Sequence, residues 1–412
     1  MRIKTEVIII TILTTLLPLI SQGQKGSFHP FTRYGLGEIA TEGFTENTAM
    51  GGVSAGIHLK NKINYMNPAS YVAQDTNSFV FDIGLNTRKS QFSTSQQSTQ
   101  KNTTAFDHFA IGFPVTSKWK SSIGIVPFSK TGYNIKSSFE NELGGRSYFY
   151  DGSGGVNRFY IGNAFELTEY LSVGLNYFYM FGSLNHNLTI QWDNDSTMLS
   201  RNLRSEKTRN VSASAFNLGM QFTPNLFKKY DLTIGATYEL SPGFNLEDET
   251  FQSNGLDTIT SAESYSADYP NRFSAGLSLE NEKFIYGLDF NYTNWSNLSN
   301  SLDNITDSYS FRTGFQYTPD KEALKSYFKK ISYRFGAYYK EGYYQFENNN
   351  IEDYGITFGL GLPLQYQKTN FNLSLQLGRK GTTNNGLIEE EYAIVNFSIT
   401  FHDFWFIKHK YQ

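Results

Sequence analysis

The strongest regularity along the chain is a two-residue alternation of apolar and polar positions. In Phe79-Val80-Phe81-Asp82-Ile83-Gly84-Leu85-Asn86 the odd positions are apolar and most even ones are small or polar. The same rhythm returns over residues 284–292, 371–377 and 395–401. A period of two puts successive side chains on opposite faces of a sheet, so these stretches predict strands. Fourteen strands are predicted, centred near residues 83, 109, 126, 161, 178, 215, 236, 275, 288, 313, 335, 358, 374 and 397.

The links between them sort by parity. Those at 89–104, 135–154, 193–206, 244–268 and 295–307 read as long. Those at Thr116-Ser117-Lys118, Thr168-Glu169 and Asn281-Glu282 read as short, and 224–230 as short to moderate. The rhythm weakens at 319–330, a longer link with room for a helical turn. A β-sandwich has no reason to sort its loops, whereas outer-membrane barrels pair short periplasmic turns with longer outer loops. One set of faces is apolar and aromatic, and the other is rich in Gly, Ser, Asn, Gln and Thr. That is a lipid-facing exterior around a polar interior, and closure leaves no unpaired edge in hydrocarbon. The reading is all-β, a 14-stranded antiparallel transmembrane β-barrel.

Composition sharpens this picture. Aromatics make up 16% of the 412 residues and charged residues only 18%, a balance that suits strands and interfacial girdles. Phe404-Trp405-Phe406 stands where such a girdle is expected. The net charge of −3 gives no footprint for nucleic acid. The absence of Cys excludes disulfides, thiolate metal sites, cysteine nucleophiles and a lipoprotein anchor. Arg2 and Lys4, the apolar run from Val7 to Ile20 and the small residues at Ser21-Gln22-Gly23 have the anatomy of a signal peptide over 1–23. The apolar run is too short for a spanning helix. Domains are therefore expected at 1–23 (signal peptide), 24–76 (an irregular N-terminal segment) and 77–412 (barrel).

Catalytic and metal chemistry finds little support. His29, His58, His108, His186, His402 and His409 show no metal-ligand spacing. Asp151-Gly152-Ser153-Gly154-Gly155 lacks the strand–turn–helix setting of a nucleophile elbow and reads as a loop tip. Trp192-Asp193-Asn194-Asp195 lacks the rest of a calcium loop and reads as a solvated turn. Gly35-Leu36-Gly37 and Gly51-Gly52 have no βαβ unit around them and are not dinucleotide fingerprints. The sequence argues against an enzyme and implies no cofactor.

The N-terminal segment carries a resemblance. Ala49-Met50-Gly51-Gly52 followed by Asn67-Pro68-Ala69-Ser70 resembles the N-terminal hatch of the FadL family, outer-membrane channels for long-chain fatty acids and other hydrophobic compounds. The blocks at residues 353–363 and 405–408 look like the branch of these proteins common in Bacteroidota. The resemblance implies a hatch at 24–76 inside the lumen, with a turn at Asn67, Pro68 and Ala69 and a tight backbone path at Gly51, Gly52 and Gly56. It further implies a lateral gate in the third strand. Pro127, beside Phe128, has no N–H for the ladder and is the physical device such a gate needs; a bulge near the rim is the plainer reading. Pro114 and Pro363 fall near predicted strand ends.

Two functions stand at this point. One is passive uptake of small hydrophobic molecules through a plugged lumen, with lateral exit. The other is a non-transporting barrel subunit of an outer-membrane secretion or assembly complex. The expected partners are membrane lipids, with hydrophobic small molecules or other complex subunits. The expected location is the outer membrane of a Gram-negative bacterium, with both termini periplasmic or luminal.

Overall fold

The computed structural model describes residues 26–404, apart from 142–143, 193–202, 225, 227–228, 299–301, 303, 324, 347–348 and 365–368. The signal-peptide segment, the Asp193-Asn194-Asp195 turn and Trp405-Phe406 lie outside the described residues.

Fourteen antiparallel strands close into one barrel. They are β1 (Ser78–Ser93), β2 (Ser98–Pro114), β3 (Trp119–Asn141), β4 (Gly144–Thr168), β5 (Leu171–Trp192) and β6 (Leu203–Phe222). β7 runs in two pieces, Asp231–Leu240 and Phe244–Ser253, because both pair along β6 on either side of Ser241-Pro242-Gly243. β8 is likewise split into Thr258–Ala267 and Arg272–Glu280. The remainder are β9 (Phe284–Thr293), β10 (Ser308–Tyr317), β11 (Ser332–Phe346), β12 (Asn349–Pro363), β13 (Asn370–Gly381) and β14 (Glu389–Phe404). β14 pairs with β1 from Glu389↔Ser93 to Phe404↔Ser78, which closes the ring. Each predicted strand centre falls within one of these strands.

The alternation has the expected physical sense. Inward positions are buried and mostly polar, as with Asn176, Asn217, Gln221, Ser274 and Asn291. Outward positions are exposed and apolar, as with Ile161, Leu175, Leu218, Leu277, Leu288 and Leu375. This inversion suits hydrocarbon outside and polar contents inside.

Several predicted long loops are instead strand. Residues 89–104 are mostly the β1–β2 hairpin, 135–154 the β3–β4 hairpin, and 244–268 the upper parts of β7 and β8. Asp151-Gly152-Ser153-Gly154-Gly155 therefore lies within β4, paired to β3 through contacts such as Gly152↔Tyr133, and is no loop tip. The physical reason is local: above the apolar belt both faces are polar, so the contrast that marks a strand fades. Pro114 and Pro363 end their strands, and a short 3₁₀ turn at Tyr327–Lys329 occupies the 319–330 link.

The wall is uneven in height. β3, β4 and β5 have 23, 25 and 22 residues, whereas β9 and β10 have ten each. Strands β3 to β8 thus form a tall wing at the rim opposite Ser78 and Phe404.

Candidate functional site

Residues 26–76, the inner segment, are largely buried and meet inward positions on strands from most of the ring. It has little regular structure: a helical turn at Thr45–Thr48, 3₁₀ turns at Pro30–Arg33 and Pro68–Ala73, and a two-residue strand at Glu38–Ile39.

Asn67 organises the second 3₁₀ turn. Its Oδ1 accepts from the Ala69 N–H at 3.1 Å, and its Nδ2 donates to the Ala55 carbonyl at 2.7 Å and to the Met220 carbonyl of β6 at 3.2 Å. Pro68 needs no donor there, since it sits at the start of the turn. The wall makes room with glycine. A Cβ at Gly174 of β5 would fall 2.5 Å from the Ala69 nitrogen, and one at Gly162 of β4 would fall 2.6 Å from the Tyr71 ring. Further round the ring, Gly235, Gly314 and Gly336 would each drive a Cβ into the backbone of Ala55, Met50 or Gly51. These inward glycines form a belt that seats the segment.

Gly51 and Gly52 have φ of 70° and 86°, the left-handed region that favours glycine. A Cβ at Gly51 would also lie 2.6 Å from the carbonyl oxygens of Thr313 and Ala337. At Gly56 it would lie 2.8 Å from the Leu277 backbone. Gly51, Gly52 and Gly56 therefore abut the wall from β7 to β11, and the Asn67 turn abuts β5 and β6.

Charge supplies the strongest fastening, which the sequence reading missed. Glu38, Glu42 and Glu46 stand four residues apart on the inner segment. Glu38 meets Arg88 of β1 at 3.0 Å and Lys380 of β13 at 2.9 Å. Glu42 takes both guanidinium nitrogens of Arg272 from β8, and Arg312 of β10 at 3.1 Å. Glu46 pairs with Lys62 and faces Arg334 of β11 at 3.7 Å. Each carboxylate lies between two cations, all from strands spread round the ring except Lys62, which belongs to the inner segment. Asp289 of β9 completes the grip by accepting from the backbone N–H groups of Ser54 and Ala55 at 2.6 and 2.9 Å.

Pro127 and Phe128 lie at a break in the wall. β2 pairs with β3 only from Pro114↔Lys120 to Phe109↔Ile125, so the seam opens two residues before Pro127. The β3–β4 ladder also shifts register between Pro127 and Ser129, as a proline in a strand requires. From inside, the inner segment covers the opened edge: Glu38 pairs with Lys130, Ile39 with Ser129, and the Ala40 N–H donates to the Phe128 carbonyl at 2.9 Å. The Phe128 ring is buried beneath the Arg158 guanidinium, 4.4 Å from its centroid.

The internal spaces are small, and charged groups enter their linings. One of about 90 Å³ is lined by Glu38, Glu42, Arg88, Arg312, Lys340 and Lys380. Another, about 50 Å³, sits under the seam beside Pro127, Lys130 and Asp107. A broader concavity of about 760 Å³ lies on the outer face of the wall, among exposed Ile234, Leu277, Leu288 and Phe311. Among the described residues no group of His, Asp and Glu could hold a metal ion.

Comparisons with known proteins bear on the fold. A family model described as BamG matches residues 3–412. The toluene transporter TbuX of Ralstonia pickettii is similar in structure at 14% identity, over 88% of this chain and 98% of that one, with a TM-score of 0.62. A FadL homologue of Pseudomonas aeruginosa gives 10% identity, 89% and 99% coverage and a TM-score of 0.62. The toluene transporter TodX of Pseudomonas putida gives 15%, 91%, 100% and 0.61. At such identities the likeness establishes a FadL-type barrel. No curated protein matches the sequence.

Proposed function

Given that the chain belongs to the BamG family, we propose that it is a non-transporting barrel subunit of an outer-membrane secretion or assembly complex. Residues 26–76 act in this reading as a fixed plug, and the rim carrying Ser78 and Phe404 faces the periplasm.

The observation that carries it is the carboxylate clamp. Withdrawing the plug means separating Glu38, Glu42 and Glu46 from largely buried wall cations, where breaking one buried pair costs about 3–5 kcal/mol. The lumen spaces of about 90 and 50 Å³ both have Glu38 and Arg88 in their linings, a poor bed for an apolar solute. Gentle solubilisation followed by native mass measurement tests the reading. A constant-stoichiometry assembly heavier than the 46.8 kDa chain is expected. A clean monomer from native membranes would overturn it.

One observation favours the second reading, passive uptake of small hydrophobic molecules with lateral exit. The β2–β3 seam opens just before Pro127, where residues 38–40 cover it from inside and Thr32 bonds Gly132 farther along the same edge. Displacing that short strand would connect the space under Pro127 with the membrane. Hydrocarbon uptake by cells with and without the chain separates the two readings, since the scaffold reading expects no difference.

A further inference from the structure

The step down from β8 to β9 leaves a free strand edge. β9 ends at Thr293, and the chain then turns inward, where Trp295 stacks on Tyr343 at 4.5 Å and Leu298 is fully buried. The lower piece of β8 pairs with β9, but the upper piece, Thr258–Ala267, pairs with β7 alone among the described residues. This edge is ten residues long, about 33 Å.

The phase of the hairpin shows which groups are free. The Asn254 N–H donates to the Asp257 carbonyl, making that opposing pair hydrogen-bonded. Antiparallel pairs alternate from there, so Thr258, Thr260, Ala262, Ser264 and Ser266 aim N–H and C=O away from β7. Natural sheets protect such edges with lysine, proline or a bulge. This one has none, and nearly all its residues are exposed.

Charge indicates what fits. Residues 244–267 hold Glu247, Asp248, Glu249, Asp257 and Glu263 and no Lys or Arg. Asp248 is neutralised by Arg209 and Lys207 of β6 at 2.7 Å each. Glu247, Glu249 and Glu263 have no salt bridge among the described residues, and Glu247 and Glu249 share a face with Ser264 and Ala262. A second copy of the chain would bring the same acids together and repel. We infer that the upper edge of β8 docks a cationic extended segment of a partner protein, which adds to the wing as a further strand. The inference does not rest on the scaffold reading, which needs only that some surface bind a partner.

The test uses the full chain in lipid nanodiscs and a fluorescent ten-residue peptide of alternating Thr and Lys. Saturable binding is expected, with no binding of the Thr–Glu counterpart. The same Thr–Lys peptide N-methylated along its backbone keeps its charge but loses its donors, and it should bind at least tenfold more weakly. Ala262→Pro and Ser264→Pro each remove an outward N–H without touching the β7 ladder, and together they should weaken binding at least tenfold. Absent binding, equal binding of the N-methylated peptide, or wild-type binding by a folded double-proline variant would each overturn the proposal. Should the double variant not fold, the N-methylated arm decides with the wild-type chain.

Discussion

Asn67 and Gly219 meet so closely that a Cβ on the glycine would fall 2.3 Å from the Asn67 Oδ1. Gly219 pairs across the wall with Gly174, whose own Cβ would strike the Pro68 and Ala69 backbone. Valine at either position should therefore overfill the seat and cost about 1–3 kcal/mol. The barrel ladder itself is untouched, so the loss should appear first in the inner segment. Limited trypsin digestion at Lys60 and Lys62 should accelerate in Gly219→Val, with a smaller drop in the thermal midpoint of the barrel.

The clamp makes a second contrast. Glu42→Gln leaves Arg272 and Arg312 facing each other without their shared counter-charge, a loss of about 3–5 kcal/mol for a buried pair. Lys60 pairs with Asp75 but is 75% exposed, and Lys60→Ala should change stability by less than about 1 kcal/mol. Denaturant melts of the two variants in one detergent check the difference. Equal effects would mean that the clamp does not hold the segment.

How far the sequence revealed all this depends on where contrast exists. The strands crossing the apolar belt were legible because residues such as Leu277 and Ser278 differ sharply in polarity. The upper piece of β8, Thr-Ile-Thr-Ser-Ala-Glu-Ser-Tyr-Ser-Ala, is mostly polar on both faces and reads as loop; pairing with β7 alone makes it strand. The clamp left no local signal. Glu42 finds Arg272 and Arg312 230 and 270 positions away, and only closure of the ring brings them together. The wall glycines merge into the small and polar face, where nothing local marks them as a seat.

The seam offers a third expectation. Ala40 donates its N–H to Phe128 across the opened edge, and Ala40→Pro removes that donor. Combined with Glu38→Gln, which weakens the hold of Arg88 and Lys380, it should free the short strand at Glu38–Ile39 from Lys130 and Ser129, while Glu42 with Arg272 and Glu46 with Arg334 hold the rest of the segment. A lipid-soluble nitroxide should quench a fluorophore placed at Ile39 more strongly in this double variant than in the parent. Unchanged quenching would mean that Pro127 marks a bulge without access to the membrane.

Whether the plug moves in service can be decided by locking it. Thr48 on the inner segment and Ser374 on β13 have their hydroxyl oxygens 3.1 Å apart. The chain has no native cysteine, so Thr48→Cys with Ser374→Cys gives one possible cross-link. The two positions are 326 residues apart, and the bond ties segment to wall without touching the carboxylate clamp. A fixed plug loses nothing when locked: the oxidised variant should assemble with its partners as the parent does. A moving plug should fail when oxidised and recover on reduction. Hydrocarbon uptake that stops under oxidation and returns with dithiothreitol would overturn the scaffold reading in favour of the channel.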